Sequence, residues 1–389
     1  MGEFINVASS LTLENIPKTY ALDALLLNVP GVGKNETTIK NAIILAAESK
    51  AKYFYLDSGG FEIIKAVTAV PPEPIYYDPD RPLYINGHLN ITPRQIYEVA
   101  KKLLPSVIIA LDYPVNKCPD VSRQELNYML TMGFNLKCAR ETASYVDKYI
   151  NETGEDAKFY IALQTYNLSQ MNDYLKNLEN INYDGISIPK RVHTPTSLSL
   201  FLFHIYKRFR EKKLPDIHLL GSTKFAYLAV LAYFAKNFFD YVSVDATSWA
   251  YYSRVMLYVY PLDLRATDIG DDADLEKFEF MKCDCPSCRR FESVNDLKVQ
   301  HEDYKKIMLY NHNWFVINDA MREFYNHADT ADSLNEYLLS IIDRSYGTRE
   351  NEVAEIFRCL KIIEAMKDNI DDDKVIDNLS RMLAPDHAR

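Results

Sequence analysis

Two groups of side chains in this sequence have the types and spacing to do chemistry. The first is a metal-binding set. "CDCPSC" places Cys283, Cys285 and Cys288 in a C-x-C-x2-C array. Thiolates this close can converge on one ion, and a tetrahedral zinc site then needs a fourth ligand. His301 and His312 lie downstream as candidates. His312 stands in "LYNHNWFVINDAMREFY", at the start of an expected amphipathic helix that would hold its imidazole rigidly. Three Cys and one His leave no open coordination position, so the ion would be structural. Cys118, Cys138 and Cys359 are isolated and read as ordinary thiols.

The second group is acidic. "KYFYLD" ends at Asp57, "SVIIALD" at Asp112 and "FDYVSVD" at Asp245, while "KFYIALQ" ends at Gln164. Ser58, Gly59 and Gly60 follow Asp57 and allow a tight turn with close approach to a ligand. A single Asp after a strand is most often a helix cap. Three carboxylates and an amide at one structural position point instead to a shared pocket, with Asp57 facing it.

Such convergence requires a scaffold that brings strand ends together. Further short apolar runs are "ALLLNVPG" (24–31), "GISIP" (185–189) and "IHLLG" (217–221), with "RVMLYVYPL" (254–262) as the eighth candidate. Helical stretches alternate with them. "TPRQIYEVAKKLL" begins with Thr92 as N-cap and Pro93 at the first helical position, and "TPTSLSLFLFHIYKRFREKK" repeats that start at Thr194 and Pro195. "KFAYLAVLAYFAKN" is a third. Strand and helix in alternation imply a parallel sheet, and eight such strands in roughly 270 residues imply a TIM (β/α)8 barrel, whose active site lies at the C-terminal ends of the strands. The expected organisation is a catalytic barrel over 1–275, a small zinc-binding subdomain over 276–330, and C-terminal helices over 331–389 that pack back on the barrel.

Composition narrows the function classes. With 44 basic and 54 acidic residues the net charge is −10, which argues against broad non-specific binding to nucleic acid. Basic residues cluster locally: Lys190 with Arg191 after a strand end, Lys207 to Lys213 on a helix, and Arg289 with Arg290 beside the cysteines. The helical cluster reads as a solvated face. The other four are placed to track a phosphate backbone. No apolar run approaches the length needed to cross a bilayer, and "MGEFINVASS" lacks the features of a signal peptide. Clustered thiols suit a reducing compartment, so a cytoplasmic protein is expected. "VPGVGKNETT" lacks the spacer of a phosphate-binding loop and reads as a glycine turn.

Six motifs, in order, resemble those of the tRNA-guanine transglycosylase superfamily, from about Asp57 to about Phe324. "LDSGGFE" is similar to that family's "TDSGGFQ". "NITP" followed by "IIALD" resembles "LTPE…MAFD", and "ALQ" resembles "IVQG". "HLLGS" is similar to "HLFG" or "YLMG". "VDATSWAYYSR" resembles the archaeal "FDSASYALYAK" around the nucleophile, and "CDCPSC" with "NHNWF…MREF" resembles the zinc motif and its following helix, which selects His312. There are departures. "DGISIPKR" stands where the family has a glycine pair, the bacterial "MPTR" is missing, and no archaeal RNA-binding domain is visible beyond residue 330. These departures resemble the DpdA-type branch, which inserts a 7-deazaguanine base into DNA.

The resemblance implies base exchange through a covalent intermediate. Asp245 would be the nucleophile, with Asp240 as the rival because it has the family's usual spacing from "LLG". Asp57 would be the general acid and base. Asp112 would read the guanine amidine edge, and Gln164 the 6-oxo group. Ser58, Gly59, Gly185, Gly221 and Ser222 would complete the pocket, and Lys190, Arg191, Arg289 and Arg290 would hold phosphates. Expected partners are a nucleic acid (DNA favoured over tRNA), a 7-deazaguanine base such as 7-cyano-7-deazaguanine, and helper proteins that open DNA. The alternatives are a tRNA-guanine transglycosylase acting on tRNA, or a catalytically inactive nucleic-acid-binding paralogue. The cofactor is a structural zinc.

Overall fold

Residues 2–9, 22–33, 35–60, 91–115, 121–261, 263–270, 283–291, 296, 299–342 and 349–384 are described by a computed structural model of the chain. Phe61, Glu62, Asn90, Cys118 and the expected boundary between 275 and 276 lie outside the described residues.

Eight parallel strands close into a barrel in chain order. They are β1 (Glu3–Ser9), β2 (Ala24–Asn28), β3 (Tyr53–Asp57), β4 (Val107–Ile109), β5 (Lys158–Ala162), β6 (Gly185–Pro189), β7 (Asp216–Leu220) and β8 (Tyr241–Ala246). Among the described residues the helices are α1 (Val29–Val32), α2 (Glu36–Ser49), α3 (Pro93–Leu103), α4 (Val121–Thr153), α5 (Leu168–Asn177), α6 (Pro195–Phe209), α7 (Phe225–Asn237) and α8 (Ser248–Arg254), then α9 (Glu302–Asn326), α10 (Ala331–Ile342), α11 (Glu350–Asp368) and α12 (Asp373–Leu383).

The barrel is as expected, but the closing strand differs. The segment 254–262 is not a barrel strand. β1 pairs with both β2 and β8, with Val7 opposite Asp245. The place beside β8 is therefore taken. Residues Leu257–Val259 form β9, which pairs antiparallel with β10 (Ala266–Asp268) outside the barrel. Tyr258 and Val259 are buried there against the cysteine cluster.

The strand period of two explains the two cores. Outward residues such as Leu56, Ile108, Ile161, Ile186, Leu219 and Val244 pack against the helices. Inward residues such as Val7, Leu26, Tyr55, Val107, Tyr160 and Tyr241 fill the lumen. Tyrosines can fill that space because their hydroxyls find partners. Tyr55 and Tyr241 share a hydrogen bond of 2.7 Å, and Tyr160 donates to Asp216 at 2.7 Å. The Tyr160 ring also sets the residue across from it. A Cβ on Gly185 would lie 2.5 Å from that ring.

Local signals start the helices where the sequence places them. Thr92 and Thr194 each form a reciprocal capping box, with Gln95 and Ser197 respectively, and a proline opens each helix. α7 is buried from Phe225 to Ala235 because it is covered on both sides. One side meets the barrel. The other meets α9 and α11, and Tyr233 donates to Glu364 there. The basic run of α6 turns to acidic partners within the chain: Lys207 to Asp373 and Arg208 to Glu179, each at 2.6 Å, and Arg210 to Asp371. Lys213 pairs with Asp184 at 2.6 Å. Among the described residues no helix is long and apolar enough to cross a membrane.

Gly185→Ala tests the packing of the lumen. The added methyl cannot avoid the Tyr160 ring, so denaturant unfolding should show a loss of about 1–3 kcal/mol, the usual penalty for overpacking.

Candidate active site and metal centre

Asp57 is the last residue of β3 and is half-buried at the barrel mouth. Its Oδ2 accepts the Gly59 N–H at 3.1 Å. Gly59 has φ +88°, and a Cβ there would meet Pro30 at 2.3 Å, so only glycine fits this turn. Gly60 serves the neighbouring carboxylate: a Cβ on it would sit 2.8 Å from Asp112 Oδ1. Burial pushes the Asp57 carboxyl up to about 7, with the charges of Asp112 and Asp245 adding to the shift. Asp57 thus lies close enough to both other carboxylates to feel their charge.

Asp112 lies three residues beyond β4 and is buried. The loop that carries it is pinned by Asn135 of α4, whose amide accepts from Tyr113 N–H at 2.6 Å and donates to Tyr113 O at 3.1 Å. Asp112 accepts from Ser58 Oγ at 3.3 Å and from Gln164 Nε2 at 2.5 Å. Burial raises this carboxyl to about 6, and the two donors limit the rise. Gln164 also accepts the Val115 N–H at 3.2 Å. Its amide is therefore oriented at both ends, and one amide proton is left over for a ligand.

Asp245 sits on β8 and is buried. Gly221, at φ +88° just beyond β7, donates its N–H to the Asp245 carbonyl at 3.0 Å and to Oδ1 at 3.1 Å. Asp245 does not cap the next helix. The N-cap of α8 is Thr247, which makes no side-chain cap bond. Ser222, also buried, accepts the Lys224 N–H at 3.3 Å and shapes the turn into α7.

Asp57, Ser58, Gly59, Asp112, Gln164, Gly221, Ser222 and Asp245 therefore all lie at the C-terminal ends of their strands. Gly185 does not join them. It opens β6 at the opposite end, where its missing side chain admits Tyr160. Asp240 precedes β8, is exposed, and accepts the Glu3 N–H at 2.8 Å through its carbonyl. It stands at the far end of the barrel from Asp57. Lys190 and Arg191 form a 3-10 turn directly after β6; Arg191 is exposed, and Lys190 lies 5.4 Å from the centre of the Tyr227 ring. Arg289 and Arg290 are exposed on a 3-10 turn that begins at Cys288.

One residue beside Asp245 escaped the sequence reading. His218 on β7 is fully buried in the lumen, and its Nε2 lies 3.5 Å from Asp245 Oδ1. Its Nδ1 is 2.9 Å from Ser243 Oγ. The signal was the strand period: His218 shares the inward face with Asp216 and Leu220, and Ser243 shares that of Asp245.

The metal centre is built beside the β9–β10 hairpin rather than on the barrel strands. Cys283, Cys285, Cys288 and His312 are all buried, and their ligand atoms lie within 4.8 Å of one another. His312 Nδ1 is 3.5 Å from Cys285 Sγ and 3.2 Å from Cys288 Sγ. Its Nε2 is 2.7 Å from Val259 O, which fixes the tautomer and leaves Nδ1 for the ion. Tyr258 stacks on the imidazole at 3.9 Å. Three thiolates and one imidazole at this spacing could hold a metal ion, and such a donor set suits zinc. α9 begins at Glu302, so His312 lies well inside the helix rather than at its start. The helix-start position belongs to His301, which is exposed and caps it by accepting from Asp303 N–H. Asn313 secures the hairpin: Oδ1 accepts from Val259 N–H at 3.0 Å, and Nδ2 donates to Leu257 O at 3.0 Å.

A family model described as queuine tRNA-ribosyltransferase matches residues 47–345. No curated protein matches the chain.

Two measurements check the site. Metal analysis should find about one zinc per chain, as a closed four-ligand set requires, and Cys285→Ser should lose both the metal and stable folding. Asp57 makes a prediction about pH. Its folded carboxyl titrates at about 7, above the ordinary 3.8, so the folded state binds the extra proton. Stability from this group is complete below the ordinary value and is lost as pH rises through about 7. Thermal unfolding of Asp57→Asn should therefore lack this loss, and at pH ~8 the variant should be more stable than wild type.

Proposed function

The chain belongs to the queuine tRNA-ribosyltransferase family, and on that premise we propose that it exchanges guanine for a 7-deazaguanine base in DNA. Members of this family are transglycosylases, so a pentosyl transfer at a guanine nucleotide is the reaction class. What carries the finer reading is the grouping of three carboxylates with unlike environments. Asp57 is raised to about 7, Asp112 is held by Ser58 and Gln164, and Asp245 is held by the Gly221 N–H.

Those environments suit distinct roles. Asp245 attacks the anomeric carbon of a nucleotide that has left its stack. A carboxylate stabilises the oxocarbenium-like charge and can later depart. Asp57, titrating near neutral pH, gives a proton to the leaving guanine and takes the ring proton of the incoming base. Asp112 accepts from the amidine edge of the base, and the spare amide proton of Gln164 meets its 6-oxo group. A zinc ion held by Cys283, Cys285, Cys288 and His312 would be structural and would supply rigidity rather than chemistry.

The DNA reading rests on the mouth segment "DGISIPKR", which departs from the tRNA enzymes, and on the missing bacterial "MPTR" after Asp245. Exposed Arg191, Arg289 and Arg290, with Lys190, would hold phosphates. With a net charge of −10, few such contacts are available, so binding is modest and falls with salt. The second reading is exchange into tRNA, which the family's designation as queuine tRNA-ribosyltransferase favours.

Purified protein with labelled guanine and either DNA or tRNA separates the two. Incorporation into DNA is expected, while efficient exchange into tRNA with none into DNA at matched salt would replace the DNA reading. In the same assay Asp245→Asn should abolish the covalent nucleic-acid adduct while leaving the fold intact. An adduct that survives in Asp245→Asn would remove Asp245 from the nucleophile's role.

A further inference from the structure

We propose that His218 is a positioning residue that holds Asp245 Oδ1 and leaves Oδ2 as the attacking atom. The inference rests on the reading of Asp245 as nucleophile. Two nitrogens face the same oxygen: the Gly221 N–H donates to Oδ1 at 3.1 Å, and His218 Nε2 lies 3.5 Å from it. Among the described residues none donates to Oδ2.

His218 Nε2 is fully buried and makes no hydrogen bond of ordinary geometry; Asp245 Oδ1 faces it at 3.5 Å. A bare lone pair at Nε2 would repel the carboxylate oxygen that faces it, whereas an N–H there turns a donor towards that oxygen. The polar column beneath the ring supplies the required tautomer. Ser243 Oγ lies 2.9 Å from His218 Nδ1, and Tyr55 donates to that oxygen at 3.3 Å. Tyr55 OH in turn pairs with Tyr241 OH at 2.7 Å. If Tyr55 donates to Ser243, the serine proton is free for Nδ1, and Nε2 carries the hydrogen. The alternative serine acceptor, Ile217 O, lies farther off at 3.3 Å. The Tyr55 ring, 5.2 Å from the imidazole between centroids, keeps the ring in place.

The chemistry balances around this arrangement. In the first half-reaction the Oδ2–C1′ bond forms as the bond from C1′ to guanine breaks, and Asp57 supplies the proton that guanine takes. In the second, the incoming base bonds to C1′, Oδ2 leaves, and the ring proton passes to Asp57. His218 exchanges no proton in either step. Its N–H stays on Oδ1, which is the carbonyl oxygen of the glycosyl ester and regains negative charge as the ester breaks. A donor fixed on that oxygen favours departure of the carboxylate.

Wild type, His218→Leu, His218→Gln and Ser243→Ala are compared as full-length protein, by base exchange and by resolution of the trapped adduct. His218→Leu should slow resolution by about 10²-fold, the size expected when one preorganised donor to developing charge is removed, with KM for the nucleic acid almost unchanged. His218→Gln, whose amide can still donate, should recover much of the rate, and Ser243→Ala should fall between. Nitrogen NMR of selectively labelled histidine, assigned by the His218→Gln spectrum, should place the His218 proton on Nε2. A proton on Nδ1 alone, or a folded His218→Leu protein with wild-type rates, overturns the proposal. If Asp245→Asn still forms the adduct, the nucleophile reading fails instead.

Discussion

The structure depends on the closure of β1 against β8. That pairing puts Val7 opposite Asp245 and completes the ring of parallel strands. Once the ring is closed, the strand period leaves each side chain only two directions, the lumen or the helices. Every strand also runs the same way, so all C-terminal ends share one rim. Asp57 and Asp245, together with Asp112 just past β4, are brought to that rim by this constraint alone. They come from segments far apart in the chain.

Gathering carboxylates in a partly dry space is unfavourable, and the surrounding groups answer it locally. Gly59 and Gly221 each present a backbone N–H, and their left-handed backbone makes that approach feasible. Ser58 and Gln164 serve Asp112. The opposition is incomplete at Asp57, whose carboxyl stays near neutral in its titration. A fully satisfied carboxylate would be more stable and a poorer proton shuttle. On the proposed reading of Asp57 as proton shuttle, the site trades stability for a group poised near neutral pH.

The cysteine cluster bears on the same rim through α8. This helix follows Asp245 within three residues, and Trp249 on it packs edge-on against Trp314 and Tyr310 of α9. Asn313 reaches Ser253 at 3.1 Å as well as the hairpin, and His312 is bonded to Val259. α9 thus joins the cysteine cluster to the segment behind Asp245. A structural ion there would stiffen one wall of the mouth without touching the substrate.

Much of this was legible in the residues. Apolar runs with polar ends, the Thr-Pro helix starts and the C-x-C-x2-C array are local signals, and local signals survive without a fold. They identified a parallel barrel, the strand-end carboxylates and the cluster's three cysteines, and the motif resemblance added His312 as the fourth member. Other features depended on neighbours remote in the chain. β1 is a strand of ordinary composition whose role as the closing strand exists only in its pairing with β8. Gly185 reads as a pocket glycine until the Tyr160 ring is placed across from it. His218 reads as a histidine in an apolar strand, and only the lumen brings it beneath Asp245. Short-range chemistry, set by spacing along the chain, was determined by the sequence itself. Which strand ends meet, and which buried atom faces which carboxylate, was decided by tertiary closure, because those distances are fixed by register across the barrel rather than by position in the chain.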